Sequence, residues 1–91
     1  MIILNRQVNI TNNRGLNLLA ASRLVSLARE YEADVWIACD GRKVHSRSVL
    51  ELLTLCATRG AWLELEADGP EAEAALDALM GLIGRGFDED H

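Results

Sequence analysis

Apolar residues recur along the chain with two different periods, and the switches between them mark the elements. Leu4, Val8 and Ile10 alternate with Asn5, Gln7 and Asn9, which predicts a half-buried first strand with Arg6 as its one misfit. Asn12-Asn13-Arg14-Gly15 follows as a turn. From Leu16 to Tyr31 the period becomes helical, with Leu16, Ala20, Leu24, Leu27, Ala28 and Tyr31 on one face. Asn17 stands at the start of that helix as an N-cap, because its side-chain oxygen can accept an otherwise unpaired N–H.

Alternation returns over Ala33 to Cys39, with Val35, Ile37 and Cys39 on one side. Asp40-Gly41 is a hairpin signal, so Arg42 to Val44 is expected to return as a short third strand. Ser48-Val49-Leu50-Glu51 has the capping-box spacing and opens a short helix reaching about Leu55, closed by Arg59-Gly60. Ala61 to Ala67 makes a fourth strand with Leu63, Leu65 and Ala67 on one face. Asp68-Gly69-Pro70 then begins a last helix, with Pro70 in its first turn and Ala75, Leu76, Leu79, Met80 and Ile83 as the buried stripe. Gly84 and Gly86 end it.

The order is therefore β-α-β-β-α-β-α. Three amphipathic helices need one shared apolar surface, and a sheet with one polar face provides it. The expected fold is α+β, an open-faced sandwich in which a four-stranded antiparallel sheet carries three helices on one side. Residues 1–84 form the domain, and 85–91 form an acidic tail expected to fray.

Composition narrows the function. With 91 residues there is room for one core, and 49% hydrophobic with 25% charged residues suits a globular chain. A net charge of −5 with only nine Lys and Arg argues against nucleic acid as a partner. No apolar run is long enough to span a bilayer and no basic leader precedes Ile2, Ile3 and Leu4, so a cytoplasmic location is expected. Cys39 and Cys56 are read as reduced, small core residues. His45 and His91 have no partners at ligand spacing, so neither a metal nor a cofactor is expected.

The same residues carry a resemblance. Gly15-Leu16-Asn17-Leu18-Leu19-Ala20-Ala21 sits where one family has Gly-Leu/Ile-His-x-Arg-Pro-Ala. Tyr31-Glu32-Ala33-Asp34-Val35, Asp40-Gly41-Arg42-Lys43-Val44, Arg59-Gly60-Ala61 and Glu66-Ala67-Asp68-Gly69 match its later segments in order. Arg47-Ser48-Val49-Leu50, followed by Leu53-Thr54-Leu55, is similar to its regulatory segment Lys-Ser-Ile-Met and the helix behind it. The chain thus resembles the histidine-containing phosphocarrier (HPr) family of the bacterial sugar phosphotransferase system over nearly its whole length. The resemblance implies a non-enzymatic carrier that takes a phosphoryl group from enzyme I onto a histidine and hands it to sugar-specific partners. A helix N-terminus stabilises that phosphoryl group, and an adjacent arginine clamps it.

Three positions depart from the family. Asn17 replaces the acceptor histidine, Leu19 the arginine and Ala20 the proline. An amide nitrogen has its lone pair delocalised into the carbonyl and is no nucleophile for phosphoryl transfer. Asn17 still caps the helix, so the need of the fold is met while the chemistry is not. The helical phase already fills the inward face with Leu16 and Ala20, so at least one of Leu18 and Leu19 should point outward, either as a partner contact or as a plain exposed leucine.

Ser48 has two readings. It caps the short helix with Glu51 three residues on, and the resemblance implies an alternative role as the site of an HPr kinase. Arg47, Arg42 and Lys43 add positive charge there, and Ser46 is an outside alternative. Trp36 and Trp62 fall out of phase with the buried sets and should lie on the open face with Ile3, Asn5, Gln7, Ala38, Glu64 and Glu66. They mark either an interaction patch, a homodimer contact included, or a simple cover for the sheet.

The expected role is regulatory or adaptor, with Leu18, Leu19, Trp36, Trp62 and Arg47 as partner contacts. By resemblance the partners are enzyme I-like proteins, HPr kinase-like proteins or transcriptional regulators. Two rivals stand beside this: a phosphocarrier working through another residue, His45 or His91, and an HPr-like fold repurposed as an oligomeric module.

Overall fold

The computed structural model describes residues 3–89. Its elements are β1 (Leu4–Asn9), α1 (Leu18–Ala28), β2 (Asp34–Cys39), β3 (Arg42–His45), α2 (Val49–Leu53), β4 (Trp62–Asp68) and α3 (Ala72–Gly84), followed by a 3-10 turn at Gly86–Asp88. The strands form one antiparallel sheet in the order β1-β4-β2-β3. This is the expected α+β open-faced sandwich.

Alternation within the strands sets the two faces. Val35, Ile37 and Cys39 of β2 and Leu63, Leu65 and Ala67 of β4 are buried, and they share one core with Ala20, Leu24 and Ala28 of α1, Leu52 of α2, and Ala75, Leu76, Leu79 and Ile83 of α3. Ala21, Val25, Ala72 and Leu82 join that core beyond the predicted stripes, whereas Met80 is only half-buried. Trp36, Ala38, Trp62, Glu64 and Glu66 lie on the other face, in the phase the alternation predicts.

The helices are shorter than their periodicity. Asn17 is extended (φ −84°, ψ −177°), so Leu16 is buried in the lead-in rather than in α1, tied by its N–H to Ala57 O at 2.9 Å. At the other end Arg29 caps the helix and Tyr31 packs from beyond it. In α2 the helix stops at Leu53, and Leu55 is buried from the following loop. Pro70 precedes α3 rather than opening its first turn. The entry is fixed instead by a two-way tie, in which Glu71 N–H donates to Glu32 O at 3.0 Å and Glu32 N–H donates to Glu71 Oε1 at 2.7 Å. Gly69 permits that approach: its φ is +132°, and a Cβ there would stand 2.9 Å from Glu32 O.

One expectation is corrected. Cys39 is buried as read, but Cys56 is exposed, because the chain turns at it with φ +51° after α2 ends early. Phe87, the single phenylalanine, is fully buried and brings the turn at 86–88 down onto the domain, while residues 90–91 lie outside the description.

Candidate functional site

The lead-in to α1 is built by its contact with the loop after α2. Gly15 has φ +65°, and a Cβ there would meet Ala57 O at 2.5 Å, so only glycine lets the two backbones close. That contact aims Asn17 at the end of the helix. Its Oδ1 accepts from Ala20 N–H at 2.8 Å, the N-cap bond expected from the sequence, and its Nδ2 donates to Glu89 Oε1 at 2.8 Å. Asn12, fully buried, donates through Nδ2 to Gly15 O at 2.8 Å and to Glu89 Oε2 at 3.2 Å. Both oxygens of one carboxylate are thus held by two asparagine amides at the positive end of α1.

Beside this cluster the surface is apolar. Leu18 is 63% and Leu19 51% exposed, so both leucines look outward, more than the helical phase required. They line a shallow hollow of about 450 Å³ with Arg14, Asn17 and Ser22. An adjoining hollow of about 230 Å³ is walled by Arg14, Leu19, Arg23, Asp88 and Glu89. Leu50 on α2, which packs against α1, is 75% exposed and was not singled out from the sequence. Its place two residues before the buried Leu52 was the available signal.

Ser48 caps α2 as read, with Oγ accepting from Glu51 N–H at 3.2 Å and the backbone extended (φ −118°, ψ 114°). Ser48 is half-exposed, whereas Ser46 is buried. Arg47 lies next to it but turns towards β3, where its N–H and Nε donate to His45 Nδ1 at 3.1 and 3.2 Å. His45 Nε2 faces Asp34 Oδ1 at 3.1 Å, so both ring nitrogens are engaged.

The tryptophans are elsewhere. Trp36 pairs in register with His45, and their rings meet edge to face with centroids 5.5 Å apart. Lys43 Nζ lies 5.7 Å from the Trp36 ring centre and forms an ion pair with Glu66. These contacts leave Trp36 half-buried within the chain. Trp62 remains 63% exposed at the start of β4. The expected contact residues therefore fall on two faces: Leu18 and Leu19 at the start of α1, Trp36 and Trp62 on the open side of the sheet, with Arg47 beside His45 at the end of β3. Among the described residues no group of three or more His, Cys, Asp or Glu side chains could hold a metal. No helix there is long and apolar enough to cross a membrane.

The family model described as the phosphorylation site of the HPr component of the phosphotransferase system matches residues 4–85. The chain belongs to the HPr family. Phosphocarrier protein NPr of Shewanella violacea is 42% identical over 89 residues, which cover 98% of each chain. The crystal structure of HPr-C-His from Thermoanaerobacter tengcongensis superposes with a TM-score of 0.90 at 28% identity, covering 97% of this chain and 99% of that one. The swapped dimer of Crh, the catabolite repression protein of Bacillus subtilis, gives 0.74 at 27% identity over 89% and 93%. Proteins of this family are phosphocarriers rather than catalysts, and regulators related to Crh share its fold. In this HPr-family chain, Asn17 occupies the end of α1 that the resemblance assigns to the acceptor histidine.

Proposed function

We propose that this HPr-family chain is a regulatory or adaptor protein of the phosphotransferase system rather than a phosphocarrier. The observation that carries the reading is Asn17 itself. Its oxygen caps α1 and its nitrogen is bound to Glu89, so the side chain serves as a structural tie where transfer needs a free nucleophile. Leu19 removes the arginine clamp and, with Leu18, replaces a phosphate-ready surface by an apolar one rimmed by Arg14 and Arg23. That surface is where a protein partner docks, through leucine contacts at its centre and arginines at its edge. Ser48 is the position for a regulatory phosphate, which the N-terminal turn of α2 would stabilise. The partners are then enzyme I-like or HPr kinase-like proteins or transcriptional regulators. His45 makes a poor alternative acceptor, since Asp34 and Arg47 already engage its ring.

A second reading is favoured by one observation, the exposed Trp62: a homodimer formed through the open face of the sheet. Incubation with ATP and an HPr kinase tests the first reading. Label on Ser48 that disappears in Ser48→Ala supports it, and label confined to another residue contradicts it.

A further inference from the structure

The turn at 86–89 is built to stay closed although it is short. Phe87 is fully buried and Gly86 is buried with it. Phe87 and Asp88 both adopt φ +58°, a left-handed backbone that side-chain-bearing residues rarely take, so contacts elsewhere must hold them there. Arg23 of α1 donates to Phe87 O at 2.6 Å, Arg85 Nε pairs with Asp88 Oδ1 at 2.8 Å, and Asn12 and Asn17 take the two oxygens of Glu89.

We infer that residues 86–89 are an intramolecular latch, anchored by Phe87 and closed by Glu89, which fills the N-terminal end of α1 with the chain's own carboxylate and controls access to the surface around Leu19. Closure sets Asp88 and Glu89 as one wall of the 230 Å³ hollow whose other walls are Leu19, Arg14 and Arg23. That hollow shares Arg14 and Leu19 with the larger one over Leu18, so opening the latch joins both into one groove along the start of α1. The latch explains why an amide suits position 17. Only a side chain that accepts and donates in opposite directions can cap the helix and hold the carboxylate together. The existence of the latch stands on these contacts alone, while the meaning of what it guards rests on the proposed partner surface.

The test uses the full chain, isotope-labelled, as the natural sequence and as Glu89→Ala, with Arg23→Ala as a second variant that loosens the turn without touching the carboxylate. In the natural sequence the side-chain amides of Asn12 and Asn17 should show two distinct, slowly exchanging NMR signals, and the N–H of Glu89 should be protected through Gly86 O. Glu89→Ala should collapse those side-chain signals towards ordinary exposed positions and leave the strand amides unchanged. The same variant should raise the emission of the apolar dye 1-anilinonaphthalene-8-sulfonate severalfold, and adding Leu19→Ser should cancel the rise. Unchanged Asn12 and Asn17 signals in Glu89→Ala would overturn the latch. Shifted signals with no gain in dye binding would overturn its role as a cover. Both outcomes are separate from the phosphorylation assays on which the proposed function depends.

Discussion

Asn17 joins Glu89 across 72 positions of sequence, Nδ2 to Oε1 at 2.8 Å, while its own Oδ1 holds Ala20 N–H at the same distance. One side chain therefore serves both the start of α1 and the segment after α3. Asn17→Ala should remove the cap and cost about 0.5–2 kcal/mol. Urea unfolding measures this directly, and a loss below about 0.5 kcal/mol would mean that the cap is not what the side chain provides. Asn17→His should restore little phosphoryl transfer, because Leu19 and Ala20 still stand in place of the arginine and proline.

Ser48→Ala should likewise cost about 0.5–2 kcal/mol through the lost bond to Glu51 N–H. A phosphate on Ser48 should leave α2 intact, since the added charge lies at the favourable end of that helix. A circular dichroism spectrum showing lost helix on phosphorylation would contradict this.

The segment after α3 should behave as part of the domain. Phe87→Ala empties a fully buried site and is expected to cost about 3–5 kcal/mol, near the range for large-to-small changes in a core. A loss below about 1 kcal/mol would show that the site is not packed as a core position.

The two thiols should react differently. Burial, helped by the charge of and hydrogen bond with Asp40, pushes the Cys39 thiol above its ordinary range, so the reactive thiolate is scarce there at neutral pH. Cys56 is exposed. Iodoacetamide near pH 8 should therefore modify Cys56 alone, and Cys39 should react only in denaturant or strong base. Mass spectrometry of tryptic peptides distinguishes the sites, and early label on Cys39 would contradict its placement.

If the open face is a dimer contact, Trp62 is the ring that carries it, because Trp36 is already packed against His45 and Lys43. An aromatic side chain can bury about 150–250 Å² on association. Tryptophan emission should move to shorter wavelength as concentration rises, and Trp62→Ser should abolish that shift without unfolding the domain. A chain that remains monomeric at millimolar concentration removes this reading.

Much of the fold was legible because strand alternation and helical phase both report a single buried surface. Val35, Ile37 and Cys39, or Leu63, Leu65 and Ala67, could face no other way. The cap roles of Asn17 and Ser48 were legible for the same local reason. Helix ends were less so, since Leu16, Tyr31 and Leu55 are apolar in the right phase yet pack from flanking loops. The acidic residues around Phe87 masked one apolar anchor, and acidic composition argued for a solvated tail. The tie from Asn12 and Asn17 to Glu89 is long-range, and no periodicity in sequence reports it. Cys56 misled because a small apolar residue in a loop has no phase to place it.

The central claim proposed for this member of a phosphocarrier family is that it accepts no phosphoryl group from enzyme I. The direct measurement is incubation with phosphoenolpyruvate and enzyme I of a phosphotransferase system, with intact-mass analysis under basic conditions that preserve phosphohistidine. The account predicts an unmodified chain, while an HPr control in the same tube becomes phosphorylated. An acid-labile, base-stable phosphoryl group on this chain would contradict it and return His45 or His91 as the acceptor.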